Sequence, residues 1–569
     1  MKSVFFAIFM LLLSGVLLAQ NQTGCRGSPC IEPAHAQAAT LFDRIENLYP
    51  QFFFPGALTQ NLWLDGAEVF FREYGQEGGW GLATWQGGLW YRSADQWIRF
   101  STLDEGDQQF CGGRCLDTPA ADGAFSGSVV LGAPTDSGIV LNFYAKEQSG
   151  SLRVEYGKRG QALNERSDSI ILSPGQPVVL TLDGLAANTA YNYRVLFQPR
   201  GHASDVAGEL HGFQTARPPG SSFTFTIQAD SHMDENSIVR MYQRTLANVL
   251  AAQPDFHVDL GDTFMTEKHQ APLSLTSAPA ANSSEVEQRY VYERGNFAAI
   301  AADIPIFLAN GNHEGELGWL KTNAGNDIAN WAAQARQRHF VAPSSGGFYS
   351  GEGGSIARGA WYSWQWGSAL FVVLDPYWYS GRTKGGDGWS MTLGAQQYSW
   401  LEATLAASAA PFKFVFLHSL VGGLDGQMRG GAEAARFFEW GGYDSDDTTY
   451  SFASKRPGWS APIHDLFVRH GVSVVFHGHD HLYVKQELDG IVYQEVPQPS
   501  ALNTNSAANL AREYHYDSGV VLSSAGHLRV TVTPNDVTAA YVRTWLPEQE
   551  TPQRRNGQID HQWVIKRKE

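Results

Sequence analysis

Five short apolar runs between residues 223 and 481 each stop at a residue that can bind a cation. They read "FTFTIQADSH", "DFHVDLGD", "PIFLANGNHE", "FKFVFLHS" and "GVSVVFHGHDH". Each run is too short for a helix and suits a strand buried on both faces. Between them lie helix-period segments, "SIVRMYQRTLANVLAAQ", "SEVEQRYVYERGNFAAIAA" and "GAQQYSWLEATLAAS", and a further strand, "ALFVVLD". Strands alternating with helices specify an α/β layered domain, in which the C-terminal strand ends gather at one edge. "HLRVTVT" and "VTAAYVRTW" add antiparallel strands near the end. The expected domain spans residues 221–545, with 546–569 a C-terminal tail.

The strand ends carry Asp230 and His232, Asp262, Asn312 and His313, His418, and His479 and His481. Taken singly, an aspartate after a strand is a turn former or helix cap, and a lone histidine is a structural residue. Five successive ends bearing carboxylate, imidazole or carboxamide exceed what capping requires. In extended chain, residues two apart face the same way, so Asp230/His232 and His479/His481 are each expected to present a pair. These donor types suit borderline or hard divalent ions. His477 shares the parity of the histidine pair but precedes Gly478, so it reads as core or supporting, and Asp480 should point away from the ions. Gly261, Gly311 and Gly478 are expected to turn the backbone sharply beside them. Asp375 is placed to orient a ligand or form a turn, Pro376 to Tyr379 to wall a pocket, and Arg429 to contact a phosphate.

The remainder of the chain reads differently. Residues 126–217 carry regularly spaced strands, among them "SGIVLNFYA", "SLRVEYG", "PVVLTLDGL" and "AYNYRVLFQ", the pattern of a β-sandwich, and Ala216 to Gly220 a stiff linker. Residues 21–125 alternate aromatic strands with glycine turns and hold all four cysteines, Cys25, Cys30, Cys111 and Cys115. Residues 1–20 have the short basic start, apolar stretch and small-residue end of a signal peptide. The expected location is therefore secreted, periplasmic or extracellular, where two disulfides are favoured over a thiolate zinc site. After signal cleavage no membrane span is expected. A net charge of −16 without a Lys/Arg stripe excludes a nucleic-acid polymer as partner.

The ordered set Asp230-Ser-His232, Gly261-Asp262, Gly311-Asn-His-Glu314, His418 and Gly478-His-Asp-His481 resembles the calcineurin-like metallophosphoesterase superfamily, over about residues 221–545. The upstream module, through Tyr191-Asn-Tyr193 and Phe213-Gln-Thr, resembles the fibronectin type III-like domain of purple acid phosphatases and their bacterial relatives. The resemblance implies two mixed sheets flanked by helices, preceded by that module and the small β-rich unit. It also implies two metal ions (Zn, Fe or Mn) bridged by Asp262, one held by Asp230, His232 and His481, the other by Asn312, His418 and His479. A hydroxide between the ions would be the nucleophile, with Asp262 and His313 the catalytic residues and His313 the general acid. Purple acid phosphatases have tyrosine three residues after the motif aspartate, where this chain has Met265, so the ferric–tyrosinate centre is not implied, and His232 is available in its stead.

The expected function is a secreted phosphomonoesterase of broad specificity acting on small phosphate esters. A phosphodiesterase or nucleotide-cleaving enzyme with the same centre is the alternative. Nucleotidases of the superfamily carry a large C-terminal domain, whereas fewer than ninety residues follow His481 here. A non-catalytic protein whose N-terminal aromatic modules contact a glycan or surface is the third reading.

Overall fold

Alternate residues of the central strands face opposite ways into two apolar layers, and this alternation organises the computed structural model. In Phe412–Phe416, Phe412, Phe414 and Phe416 point into the core between two sheets, while Val415 faces the helical layer outside. The structure describes residues 123–568, apart from 235–236, 271–272, 274–277, 354–357, 383–386 and 425–426. It also describes the backbone of five short antiparallel strands between 60 and 99. The signal-peptide and cysteine readings fall outside the described residues.

One sheet of the α/β region has six strands in the order Ile306–Leu308, Phe256–Asp259, Phe223–Gln228, Gly526–Val532, Asp536–Arg543, Ile559–Lys566. The first three are parallel and the rest join antiparallel. The second sheet has eight strands, centred on Ala369–Val373, Phe412–Phe416, Val474–His477 and Ile491–Glu495 in parallel. Aromatic side chains fill the space between the sheets. Phe225 stacks on Phe256 at 5.4 Å and meets Phe371 edge-on at 5.2 Å, while Phe416 stacks on Phe476 at 5.2 Å. Such rings bury large areas and prefer these geometries, so the two sheets are held in a defined register. Helices Val239–Ala251 and Ser283–Ala301 cover one outer face, and Ala395–Ala407 and Ile463–Arg469 the other. This is the layered α/β sandwich expected from the alternation.

Residues 546–569, expected as a tail, instead supply the edge strand Ile559–Lys566. Its Trp563 donates to Gln494 Oε1 of the other sheet at 2.8 Å, and His561 Nδ1 lies 2.7 Å from the Tyr483 hydroxyl. An edge strand buries only one side, and "IDHQWVIK" has few apolar residues to announce it.

Residues 128–214 form two facing antiparallel sheets. One contains Ser128–Gly132, Gly138–Tyr144 and Val178–Asp183; the other is built on Gly150–Lys158 and Ala190–Pro199. Leu141, Phe143, Val154 and Tyr193 are fully buried between them. The segment expected as a linker is a fixed seam. Arg217 forms a two-point ion pair with Asp255, and Gly220 N–H donates to Ser368 Oγ at 2.9 Å.

Arg294 does most to join the modules. Fully buried on the helix Ser283–Ala301, it donates to Ser128 Oγ and O, to Asn142 Oδ1 and O, and to the His339 carbonyl. Replacing it by methionine leaves these buried acceptors without donors. Arg294→Met is expected to lower stability by about 3 kcal/mol or more, read as a fall in the urea midpoint. An unchanged midpoint would show that the seam does not depend on this side chain.

Candidate metal centre

The chain turns abruptly where three of the five strands end. Asp230, His232, Asp262, Met265, His479 and His481 all have positive φ, between 40° and 86°. Left-handed backbone costs a side-chain-bearing residue about 1–2 kcal/mol, and such strain gathers at functional sites when the surroundings enforce it. Here hydrogen bonds between neighbouring strand ends enforce it. Asp230 N–H donates to the Gly261 carbonyl at 2.9 Å, His232 N–H to the Asp262 carbonyl at 3.0 Å, and Gly478 N–H to the His418 carbonyl at 2.8 Å. Asp230 and His232 stand in one donor group, brought together by left-handed turns and not by strand alternation, whereas His479 and His481 face different groups, so the expected pairing holds for the first couple alone.

The three motif glycines have two distinct roles. Gly261 has φ of +97°, and a Cβ there would also stand 2.2 Å from Gly311 N. Gly311 and Gly478 have no such φ; their backbones approach too closely for a side chain. A Cβ on Gly478 would lie 2.6 Å from Asp230 Oδ2, and one on Gly311 2.3 Å from Asp262 N.

The donors converge around the Asp262 carboxylate. Its Oδ1 accepts from His313 N–H at 2.8 Å, which turns Oδ2 inward, 3.2 Å from both His232 Nε2 and His418 Nε2. On one side, His481 Nε2 is 3.2 Å from His232 Nε2 and 3.5 Å from Asp230 Oδ1. On the other, His418 Nε2 lies 3.2 Å from His479 Nδ1 and 3.1 Å from Asn312 Oδ1. The groups Asp230/His232/His481 and Asp262/His418/His479 each have donor atoms mutually within 4.8 Å. His232, Asp262 and His313 form a third such group.

These residues fit a cation, on two grounds. His418 Nδ1 faces the Leu260 carbonyl at 3.1 Å, and His479 Nε2 the Gln427 carbonyl at 2.7 Å. A carbonyl only accepts, so each of those nitrogens carries the proton. In the neutral rings, the facing nitrogens therefore turn bare lone pairs toward each other. Separately, Asp230 Oδ1 is buried with no hydrogen-bond partner, a costly state for a carboxylate oxygen. Ligand atoms about 2.0–2.2 Å from a shared ion would stand roughly 2.9–3.6 Å apart, the spacing seen here.

The electrostatics agree. Burial works against charge on His418, yet Asp262 and Asp230 more than offset it and push the ring up to about 9. Burial, with His232 beside it, takes His481 down to about 4. Burial would raise Asp230, but His418, His232 and His481 bring it to about 2. The pocket favours positive charge at its centre and neutral imidazole at its edge.

Supporting groups appear that sequence reasoning missed. Glu314 accepts backbone N–H groups from Asp262, Thr263, Phe264 and Gly311, tying the second and third strand ends together. Its place in the Gly-Asn-His-Glu run was the available signal. Asp259 accepts from Gly261 N–H at 3.0 Å and from the Thr263 hydroxyl at 2.8 Å. Glu267 Oε2 holds His313 Nδ1 at 2.9 Å, leaving His313 Nε2 3.8 Å from Asp262 Oδ2.

The other candidates are placed as follows. His477 pairs through Nδ1 with Glu495 at 2.7 Å, inside the fold. Asp480 points away from the donors, and Met265 is fully buried. Asp375 forms an ion pair with Arg358 at 2.9 Å and accepts from Tyr377 N–H. The Tyr377 ring lies 6.1 Å from that of His418, so this residue does border the centre.

Comparison with known proteins bears on the same segment. Residues 223–483 match the family model described as calcineurin-like phosphoesterase. No curated protein sequence matches the chain. A solved structure of PhoD is 17% identical with a TM-score of 0.54, over 77% of this chain and 90% of that one. Purple acid phosphatase PPD1 from yellow lupin (Lupinus luteus) seeds is 13% identical with a TM-score of 0.51, over 88% of this chain and 81% of that one. At these identities the likeness is one of fold.

A metal site that forms only in the folded chain stabilises it. Stripping with a chelator is expected to lower the melting temperature, and zinc or manganese to restore it, by about 2.7 kcal/mol at a hundredfold excess over the dissociation constant. Identical melting curves with and without zinc, manganese and iron would mean that these donors hold no metal.

Proposed function

Through residues 223–483 the chain belongs to the calcineurin-like phosphoesterases and is a metal-dependent phosphoesterase, and we propose that it is an exported, binuclear phosphomonoesterase of broad specificity. The position of Asp262 Oδ2 carries the proposal. Standing 3.2 Å from a histidine nitrogen of each set, it divides the donors into two groups that share one carboxylate oxygen. Asp230, His232 and His481 would hold one ion, and Asn312, His418 and His479 the other, with Asp262 common to both. The mixed nitrogen and oxygen donors accept zinc, manganese or iron. When bound, such a pair supplies Lewis-acid neutralisation of the phosphoryl oxygens and acidifies water for in-line attack.

The chain's own residues do the rest. Asn312 and the histidines fix the donors before substrate arrives, so little reorganisation is left for the reaction. His313 is the proton donor to the departing alkoxide. The Glu267 carboxylate accepts from its Nδ1, which orients the ring and leaves Nε2 facing the centre. Tyr377, beside His418, forms part of the pocket wall. The preceding sandwich serves as a fibronectin type III-like shelf for the catalytic layers, supported by the Arg294 and Arg217 contacts. Export is supported by the N-terminal sequence, and a net charge of −16 argues against a polyanionic substrate.

Asp262→Asn is expected to lose bound metal and turnover together; a variant that keeps full activity would overturn the binuclear centre. His313→Gln should retain metal but lose about 10²–10⁴-fold in rate on alkyl phosphates, with a smaller loss on p-nitrophenyl phosphate. Equal losses on both would remove the acid role. Rates on aryl monoesters and diesters decide the substrate class, and a preference for diesters would displace the monoesterase reading.

A further inference from the structure

The sequence offers Arg429 to a substrate phosphate, but the structure gives its guanidinium other partners. Nη1 donates to Asp480 Oδ1 at 2.7 Å and to the His479 carbonyl at 3.0 Å. Asp480 is the residue between the two ligand-type histidines, and it is almost fully buried. Its second oxygen accepts from Gly430 N–H at 2.9 Å and from the Tyr516 hydroxyl at 2.8 Å. Two residues before Tyr516, the Tyr514 ring lies 4.2 Å beneath the Arg429 guanidinium. The ion pair is thus bracketed by two tyrosines from one segment.

The same contacts set the orientation of a metal-facing ring. Arg429 and Gly430 end the glycine-rich segment after His418, and Gln427, two residues before Arg429, supplies the carbonyl that His479 Nε2 donates to at 2.7 Å. That bond puts the proton on Nε2 and turns bare Nδ1 toward His418 and Asn312. Met428 packs into the outer apolar layer, and Leu424 N–H donates to the Arg429 carbonyl at 3.1 Å. Gly422, Gly423 and Gly430 have φ of +102°, +55° and +100°, a backbone with wide freedom until it is fixed.

We propose that Arg429 is a positioning residue: by holding residues 427–430 onto Asp480 and the His479 carbonyl, it keeps the Gln427 carbonyl where it fixes the His479 ring for metal. This inference rests on the binuclear reading above. Groups that hold a ligand histidine from behind typically contribute 10–100-fold to metal affinity or activity.

The test measures zinc affinity by competition with a chromophoric chelator, alongside kcat, KM and inhibition by inorganic phosphate. Arg429→Met is expected to weaken the looser zinc about 10–100-fold and to lower kcat at limiting zinc, with KM little changed and activity restored by excess zinc. Arg429→Lys, which keeps the charge but not the forked geometry, should recover part of the affinity. Asp480→Asn should resemble Arg429→Met, and the double variant should be no worse than the poorer single one. Unchanged zinc affinity in Arg429→Met would overturn the proposal. So would a rise in both KM and the phosphate inhibition constant at saturating zinc, which would make Arg429 a substrate contact. If circular dichroism shows that Arg429→Met does not fold, Tyr516→Phe, which removes one hydroxyl from Asp480, must show a smaller loss in the same direction, and unchanged affinity there is equally decisive. Wild-type protein that binds none of zinc, manganese and iron would instead sink the binuclear reading itself.

Discussion

The Asp262 carboxylate has its two oxygens committed in opposite directions, and much of the site is arranged around that. Oδ1 accepts a backbone N–H from His313, so Oδ2 is held at the meeting point of His232 and His418. Around it stand Asp230 Oδ1, which lacks a hydrogen-bond partner, and imidazole nitrogens 3.2 Å from one another in two pairs. In a buried pocket such an arrangement is unfavourable by several kcal/mol unless positive charge stands among the donors. Metal bound at this rim would offset that cost, a coupling of folding with ligation.

Holding these atoms in place takes rigid backbone. Six side-chain-bearing residues at the rim occupy left-handed conformations that an isolated chain would leave. They persist because hydrogen bonds link neighbouring strand ends, and because Glu314 gathers four N–H groups from two of them. Beneath, aromatic rings packed between the sheets fix where each strand ends. Rigidity at the rim therefore descends from packing in the interior, and the donors are arranged before any ion or substrate arrives.

Support from outside the metal ligands is divided among distinct devices. Leu260 and Gln427 carbonyls set two histidine tautomers, Glu267 sets that of His313, and the Arg429–Asp480 pair holds the histidine loop from behind. Each acts by fixing which nitrogen bears the proton or where a ring lies.

The sequence alone determined the layer architecture and the candidate donors, because both depend on local order. Apolar runs such as "FKFVFLHS" are buried on both faces and read as strands, and donors at their C-terminal ends must share an edge once those strands are parallel. Glu314 was marked only by its place in the Gly-Asn-His-Glu run and Glu267, five residues past Asp262, by nothing, since a carboxylate's partner is a matter of distance. The edge strand Ile559–Lys566 was hidden because one buried face leaves too weak an apolar pattern. The seam at Arg294, the left-handed turns and the true partners of Arg429 were decided only by tertiary structure. Each joins residues separated in sequence, and periodicity carries no information about which distant groups a fold will bring within 3 Å.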